Sequence, residues 1–126
     1  MSDQKKAPTP SEIADPRYAV QPSQEHSYAI IDTTGHDEPY TIDAMRSLSR
    51  YEREELLPTA IQRYEEYNRT VAEDWAYTWN LVELGYCGSC KKPLAEQPGH
   101  EGERYPAVGY NNLYRVLCFS CACSQE

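Results

Sequence analysis

The sequence predicts a small α+β protein, and three observations carry that reading. Two C-x2-C pairs, Cys87 with Cys90 and Cys118 with Cys121, stand 27 residues apart near the end of the chain. A long stretch from Pro58 to Val82 repeats its larger side chains at alternating four- and three-residue steps, and prolines crowd the first forty residues. Together they divide the 126-residue chain into an acidic, Pro-rich, mostly disordered N-terminal arm over 1–40, a helical hairpin or helix pair over 41–85, and a cysteine-bearing β module over 86–126.

Residues 1–40 hold Pro8, Pro10, Pro16, Pro22 and Pro39 among Ser, Gln, Asp and Thr. Such a composition buries too little apolar surface to offset the entropy of ordering. Its one apolar cluster, Tyr28-Ala29-Ile30-Ile31, precedes the turn-prone Asp32-Thr33-Thr34-Gly35. The cluster reads as a short strand docked on the folded part, or as a linear motif that folds on a partner.

From Thr41 the pattern becomes helical. Thr41 serves as N-cap with Asp43 in the first turn, and Ile42, Met45, Leu48 and Tyr51 fall on one side as far as about Leu56. Pro58 interrupts this helix, since proline lacks an amide donor and pushes the residue before it out of helical geometry. The same proline suits the first turn of a second helix. Leu57, Ile61, Tyr64, Asn68, Val71, Trp75, Thr78 and Val82 then make a heptad-like seam. That seam needs a partner, either the first helix folded back or the same helix of a second chain, giving a homodimer through residues 57–82. Asn68 is its polar interruption, fixing register in a coiled coil or sitting at the edge of an ordinary amphipathic face. Tyr67, Tyr77 and Trp79 fall off the seam. They either widen the buried face against the metal module or, with Tyr64 and Trp75, serve as candidate partner-binding aromatics, because Tyr and Trp are enriched at interface hot spots. Glu65, Glu66, Glu73 and Asp74 make a solvated acidic face, with mimicry of DNA as the remote alternative. Gly85 ends the helix.

A two-residue gap lets both thiolates of a pair reach one ion, and two pairs complete a closed tetrahedral shell. Cys87, Cys90, Cys118 and Cys121 are therefore the expected metal ligands, and soft thiolates at this spacing select one structural Zn2+ per chain. Cys123 is close enough to replace Cys121 but has the wrong spacing, and His100 reads as a solvated loop residue because four thiolates saturate the ion. Cys87 to Leu94 looks like a tight turn opening into an extended segment, Ala95 to Pro106 like an exposed loop, and Ala107 to Leu117 like a hairpin turning at Asn111-Asn112. This order resembles a zinc ribbon over about a third of the chain. The resemblance implies a recognition or scaffolding module of the kind found in transcription, translation and replication machinery. The spacing is also similar to that of rubredoxins, but the Pro within a pair and the Gly after each pair that mark that family are missing here. A treble-clef finger would need a helix after Cys121, where five residues remain.

The formal charge is −8, and the excess acidity lies before residue 84; the last 43 residues carry four acids and four bases. That distribution disfavours a nucleic-acid role, which wants a clustered basic face. Lys91, Lys92, Arg104 and Arg115, with Tyr105, Tyr110 and Tyr114, are the residues that would carry the alternative of a nucleic-acid-associated ribbon protein. There is no nucleophile elbow, phosphate loop or H-E-x-x-H pattern, so the protein is expected not to be an enzyme. Neither a signal peptide nor a membrane span is visible, and the chain reads as cytoplasmic. The main expectation is a zinc-binding adaptor or regulator of another protein.

Overall fold

A computed structural model describes residues 7–106 and 116–123. It is a small α+β structure in which the chain divides into two compact units: residues 17–76, and the described residues up to Pro16 together with those from Tyr77 onward.

In the first unit, β1 (Tyr18–Pro22), β2 (Tyr28–Asp32) and β3 (Tyr40–Ile42) form an antiparallel sheet with β2 in the middle. The register pairs Tyr18 with Asp32, Val20 with Ile30, and Tyr28 with Ile42. This corrects the expected disordered arm over residues 18–40. The apolar cluster at Tyr28–Ile31 is indeed a strand, and it is central. Neighbours on both sides pair with its backbone, and Ala29 and Ile30, on opposite faces, are both buried.

The turn between β1 and β2 closes through Ser23 N–H to Ser27 O and Ser27 N–H to Gln24 O, with His26 at φ 64°. At the other end of β2, Asp32 is a buried hub. Its carboxylate takes a forked pair of bonds from Arg17, both 3.1 Å, and further bonds from Thr34 N–H, Thr34 Oγ1–H and Asp37 N–H. The Arg17 guanidinium outweighs the cost of burial and, with those donors, holds the Asp32 carboxyl well below the usual carboxylate range.

The expected helix from Thr41 to Leu56 is also corrected. Thr41 lies in β3, a 3-10 turn spans Ala44–Ser47, and only Arg50–Glu54 is α-helical, as α1. Two competing caps explain the break. The Asp43 carboxylate accepts from Met45 N–H at 3.0 Å and Ser49 Oγ from Glu52 N–H at 3.1 Å, and Leu48 between them is extended. Each cap starts a turn of its own instead of continuing one helix.

The second helix, α2 (Pro58–Glu83), begins at the expected proline. Its buried positions within residues 58–76 are Asn68, Ala72 and Ala76, one every four residues, flanked by half-buried Ile61, Tyr64, Val71 and Trp75. Leu57, at the head of the expected seam, is 69% exposed. Asn68 anchors the helix to two parts of the sheet unit. Its amide donates to the His26 carbonyl at 2.6 Å, and its carbonyl accepts from Ala44 N–H at 2.7 Å. Trp75 meets Tyr40 of β3 with ring centroids 5.5 Å apart.

The second unit takes over α2 at Tyr77, whose hydroxyl donates to the Pro8 carbonyl at 2.7 Å. It holds a 3-10 turn at Leu94–Glu96, the short antiparallel pair β4 (Tyr105–Pro106) and β5 (Val116–Leu117), and helix α3 (Phe119–Cys123). Cys87, Leu94, Leu117 and Cys118 form its buried cluster, with Val116, Cys121 and Ala122 against it. Of the expected hairpin from Ala107 to Leu117, residues 107–115, with Asn111-Asn112, Tyr110, Tyr114 and Arg115, lie outside the described residues.

Candidate metal centre

The centre is assembled from the end of α2 outward. Gly85, at φ 95°, terminates the helix in a Schellman arrangement, with Tyr86 N–H on Leu81 O at 2.9 Å and Gly85 N–H on Val82 O at 3.1 Å. A side chain would strain that left-handed backbone, so glycine sets where the chain leaves the helix. Two residues later Cys87 begins a turn that closes on itself, through Lys91 N–H to Cys87 O at 3.1 Å and Cys87 N–H to Lys92 O at 2.9 Å. Tyr86 and Pro93 pair across its base. Gly88 N–H reaches Val116 O at 2.8 Å, fastening the turn to the strand that delivers Cys118.

The second pair is built differently. Cys118 precedes α3 and Cys121 lies within it, so the expected second turn is a helical one, and the helix overlaps the pair instead of following it. Its backbone bond from Ala122 N–H to Cys118 O, 2.9 Å, holds the two cysteines at one helical turn's spacing.

The ligand atoms of Cys87, Cys90, Cys118 and Cys121 all lie within 4.8 Å of one another. Cys90 Sγ and Cys118 Sγ are 3.7 Å apart, and all five cysteines are free. A disulfide would need about 2.05 Å. Four sulfurs about 2.3 Å from one ion in a tetrahedron are separated by about 3.8 Å, and the Cys90–Cys118 distance matches that spacing. Three backbone amides converge on the Cys87 sulfur, from Ser89 at 3.3 Å, Cys90 at 3.4 Å and Cys118 at 3.3 Å. Burial alone would push the Cys87 thiol up, yet these donors bring it down to about 7. Burial and the Cys87 neighbour push Cys90 up to about 12 despite an opposing amide from Lys92, and burial raises Cys121 as well. A sulfur on which three amides favour the thiolate, beside two thiols held protonated chiefly by burial, suits a cation, because a bound metal ion deprotonates its thiol ligands.

A tetrahedral ion held by these four cysteines would keep no position for water or substrate. Cys123 is exposed and stands outside the four-sulfur group. His100 is turned elsewhere, its Nδ1 2.8 Å from Glu103 Oε2 and its ring stacked on Phe119 at 3.8 Å. Glu103 also accepts from the Tyr105 hydroxyl, and that bond, followed by the one to His100, lowers its carboxyl below the ordinary range.

The sequence reading missed Gln97. Placed in an expected exposed loop, it is buried, with its amide donating to Leu94 O at 3.1 Å and Glu103 O at 2.8 Å and its carbonyl accepting from Phe119 N–H. It ties the segment between the pairs to the first residue of α3. Nothing in a Gly-, Glu- and Pro-rich run marks one glutamine as structural.

The candidate contact residues fall into different settings. Tyr67 is 59% exposed, Tyr64 and Trp75 are half-buried, and Tyr77 is half-buried with its hydroxyl engaged. Trp79, 4% exposed, follows the buried alternative and not the exposed one, on the buried run of α2 that continues to Val82. Lys92 and Arg104 are exposed and Lys91 is half-buried. Arg115 lies outside the described residues. Among the described residues no helix is long and apolar enough to cross a membrane.

No family model, curated protein or solved structure matches this chain.

Proposed function

We propose that the four cysteines hold one structural Zn2+ and that the protein is a non-enzymatic adaptor or regulator acting through contact with another protein. The observation that carries this reading is the set of four sulfurs within 4.8 Å of one another, supported by three amide donors on one of them. Such a centre stabilises a fold and leaves no coordination position for chemistry. The turn at Cys87 and the β4–β5 pair support a ribbon-like arrangement, whose second cysteine pair sits on a helical turn.

The contact surface assigned to the partner is the start of α2. Tyr67 and Tyr64, with Ala44, Ala60 and Arg63, line an open cavity of about 500 Å³, a concave surface with two amphipathic rings.

Two measurements test the reading. Elemental analysis of the purified chain should find one zinc per chain and a colourless protein; a red, iron-containing protein would overturn it in favour of a rubredoxin-like redox role. Oligonucleotide binding should be absent at low salt. Micromolar binding that collapses as salt rises would instead support the nucleic-acid reading through Lys91, Lys92, Arg104 and Arg115.

A further inference from the structure

The four clustered cysteines are unequally enclosed. Cys87 and Cys118 are buried, at 0% and 6% exposure, Cys121 is half-buried, and Cys90 is exposed, between exposed Ser89 and half-buried Lys91. The Cys90 sulfur nevertheless belongs to the cluster and lies 3.7 Å from the Cys118 sulfur. One ligand of the set is thus open to solvent and within reach of a buried one. Resting on the structural zinc reading, we propose that the centre is a peroxide-sensitive switch, in which oxidation joins Cys90 to Cys118 and releases the metal.

The chemistry starts from thiolates, the form in which cysteines ligate a metal. The Cys90 sulfur attacks one oxygen of hydrogen peroxide. An S–O bond forms, the O–O bond breaks, and the departing hydroxide takes a solvent proton to become water, leaving Cys90 as a sulfenic acid. The Cys118 sulfur then attacks the Cys90 sulfur; an S–S bond forms, the S–O bond breaks, and the second hydroxide leaves with another solvent proton as water. The two sulfurs together lose two electrons, and the peroxide is reduced to two waters. Closure takes the sulfurs from 3.7 Å to about 2.05 Å.

Cys87, the other member of the first pair, is the rival partner for Cys90. Its sulfur accepts amides from Ser89, Cys90 and Cys118, which draw charge from it and hold it in its turn. A bridge from Cys90 to Cys118 requires none of those bonds to break. Once it forms, Cys87 and Cys121 are the ligands left, half of a tetrahedral shell. The new bond spans 28 residues and ties the Cys87 turn to the start of α3, close to where Gly88 N–H meets Val116 O at 2.8 Å. The oxidised chain therefore gives up the ion and keeps a crosslink in its place, which restricts the unfolded chain as a long-loop disulfide does.

The test uses the full chain, with its zinc content first fixed by elemental analysis. A chain that holds no zinc defeats the zinc reading, and this inference with it, before any oxidant is added. Hydrogen peroxide equimolar with the zinc is then supplied beside a chromophoric chelator too weak to strip the reduced chain. The expected result is loss of the zinc, a Cys90–Cys118 bridge by peptide mass mapping, and recovery of zinc binding after reduction with dithiothreitol. Retention of the zinc, or release with a Cys87–Cys90 bridge or without any bridge within the cluster, overturns the switch and leaves the structural zinc standing.

Two comparisons separate this route from general thiol damage. Cys123→Ser should release zinc at an unchanged rate, because Cys123 lies outside the cluster; slower release would make Cys123 the thiol that peroxide attacks and overturn the role of Cys90. The oxidised, zinc-free chain should melt above the reduced chain stripped by a strong chelator. Equal melting temperatures would show that no crosslink replaces the metal, and mapping in the unaltered chain decides the bridge even if the variant does not fold.

Discussion

Asn68 of α2 and His26 of the β1–β2 turn are joined by a side-chain to backbone hydrogen bond of 2.6 Å, spanning 42 residues of sequence. The other end of the same amide accepts from Ala44 N–H, so one fully buried side chain satisfies two backbone groups that have few other options. Asn68→Leu fills the volume but orphans both groups. At about 1–3 kcal/mol for each of the two buried unsatisfied groups, the expected loss is about 2–6 kcal/mol, read as a lower urea midpoint with an unchanged slope. An asparagine in an intermolecular seam would respond oppositely, since a leucine there tightens association.

That bond also shows why some of the fold was legible in the sequence and some was not. Pro58 and Gly85 bound α2 correctly because each acts through its own backbone, locally and without a partner. The cysteine pairs were legible for a similar reason: ligand spacing is a short-range constraint. The sheet was hidden because Tyr18–Pro22 contains Ala, Gln and Pro with no clean alternation, and its order depends on β2 pairing and on an Arg17–Asp32 contact across 15 residues. Ala72 and Ala76, both buried, escaped because alanine carries a weak hydrophobic signal, so the seam was drawn through larger neighbours. Asp43 and Ser49 looked like ordinary polar residues of one helix until both acted as caps.

The Asp32 hub sets an acid limit on the sheet unit. Its carboxyl is lowered in the folded chain, first by Arg17, relative to about 3.9 in an unfolded one. The lowered group therefore contributes stability that is fully present above about pH 4 and is lost as the pH falls below that value toward the folded pKa. Asp32→Asn should melt well below the unaltered protein at pH 7, and the gap should narrow from about pH 4 downward. Paired thermal melts across that range check the sign. A gap that stays constant would show that charge on Asp32 is not what stabilises the turn.

Among the cysteines, Cys87 and Cys123 should differ most. Cys87 is buried and its sulfur receives three amides, whereas Cys123 is exposed and outside the cluster. Cys123→Ser should keep one zinc per chain and an unchanged melting temperature. Cys87→Ala should lose the zinc and leave three inward-pointing amides without their acceptor, with a stability loss at least as large as that caused by chelator in the unaltered protein. Elemental analysis and thermal melts with and without a strong chelator make the comparison. In the resonances of residues 77–83, chelation should loosen the end of α2 because Cys87 follows its Schellman cap by two residues.

Lys91 carries a strain that a single substitution can remove. It follows Cys90 at φ 62°, in the left-handed region, because the Cys87 turn must close with Lys91 N–H on Cys87 O and Lys92 O on Cys87 N–H. A lysine there costs about 1–2 kcal/mol relative to a backbone free of a Cβ, partly offset by the greater freedom of glycine in the unfolded chain. Lys91→Gly should therefore stabilise the zinc-loaded protein by about 1 kcal/mol or slightly less, seen as a higher urea midpoint with the metal content unchanged. Lys91→Ala separates the backbone from the side chain, since it removes the ammonium and keeps the strain. It should leave the midpoint near that of the unaltered protein, and a gain equal to that of the glycine variant would mean that the lysine charge, not its backbone, was the source of the cost.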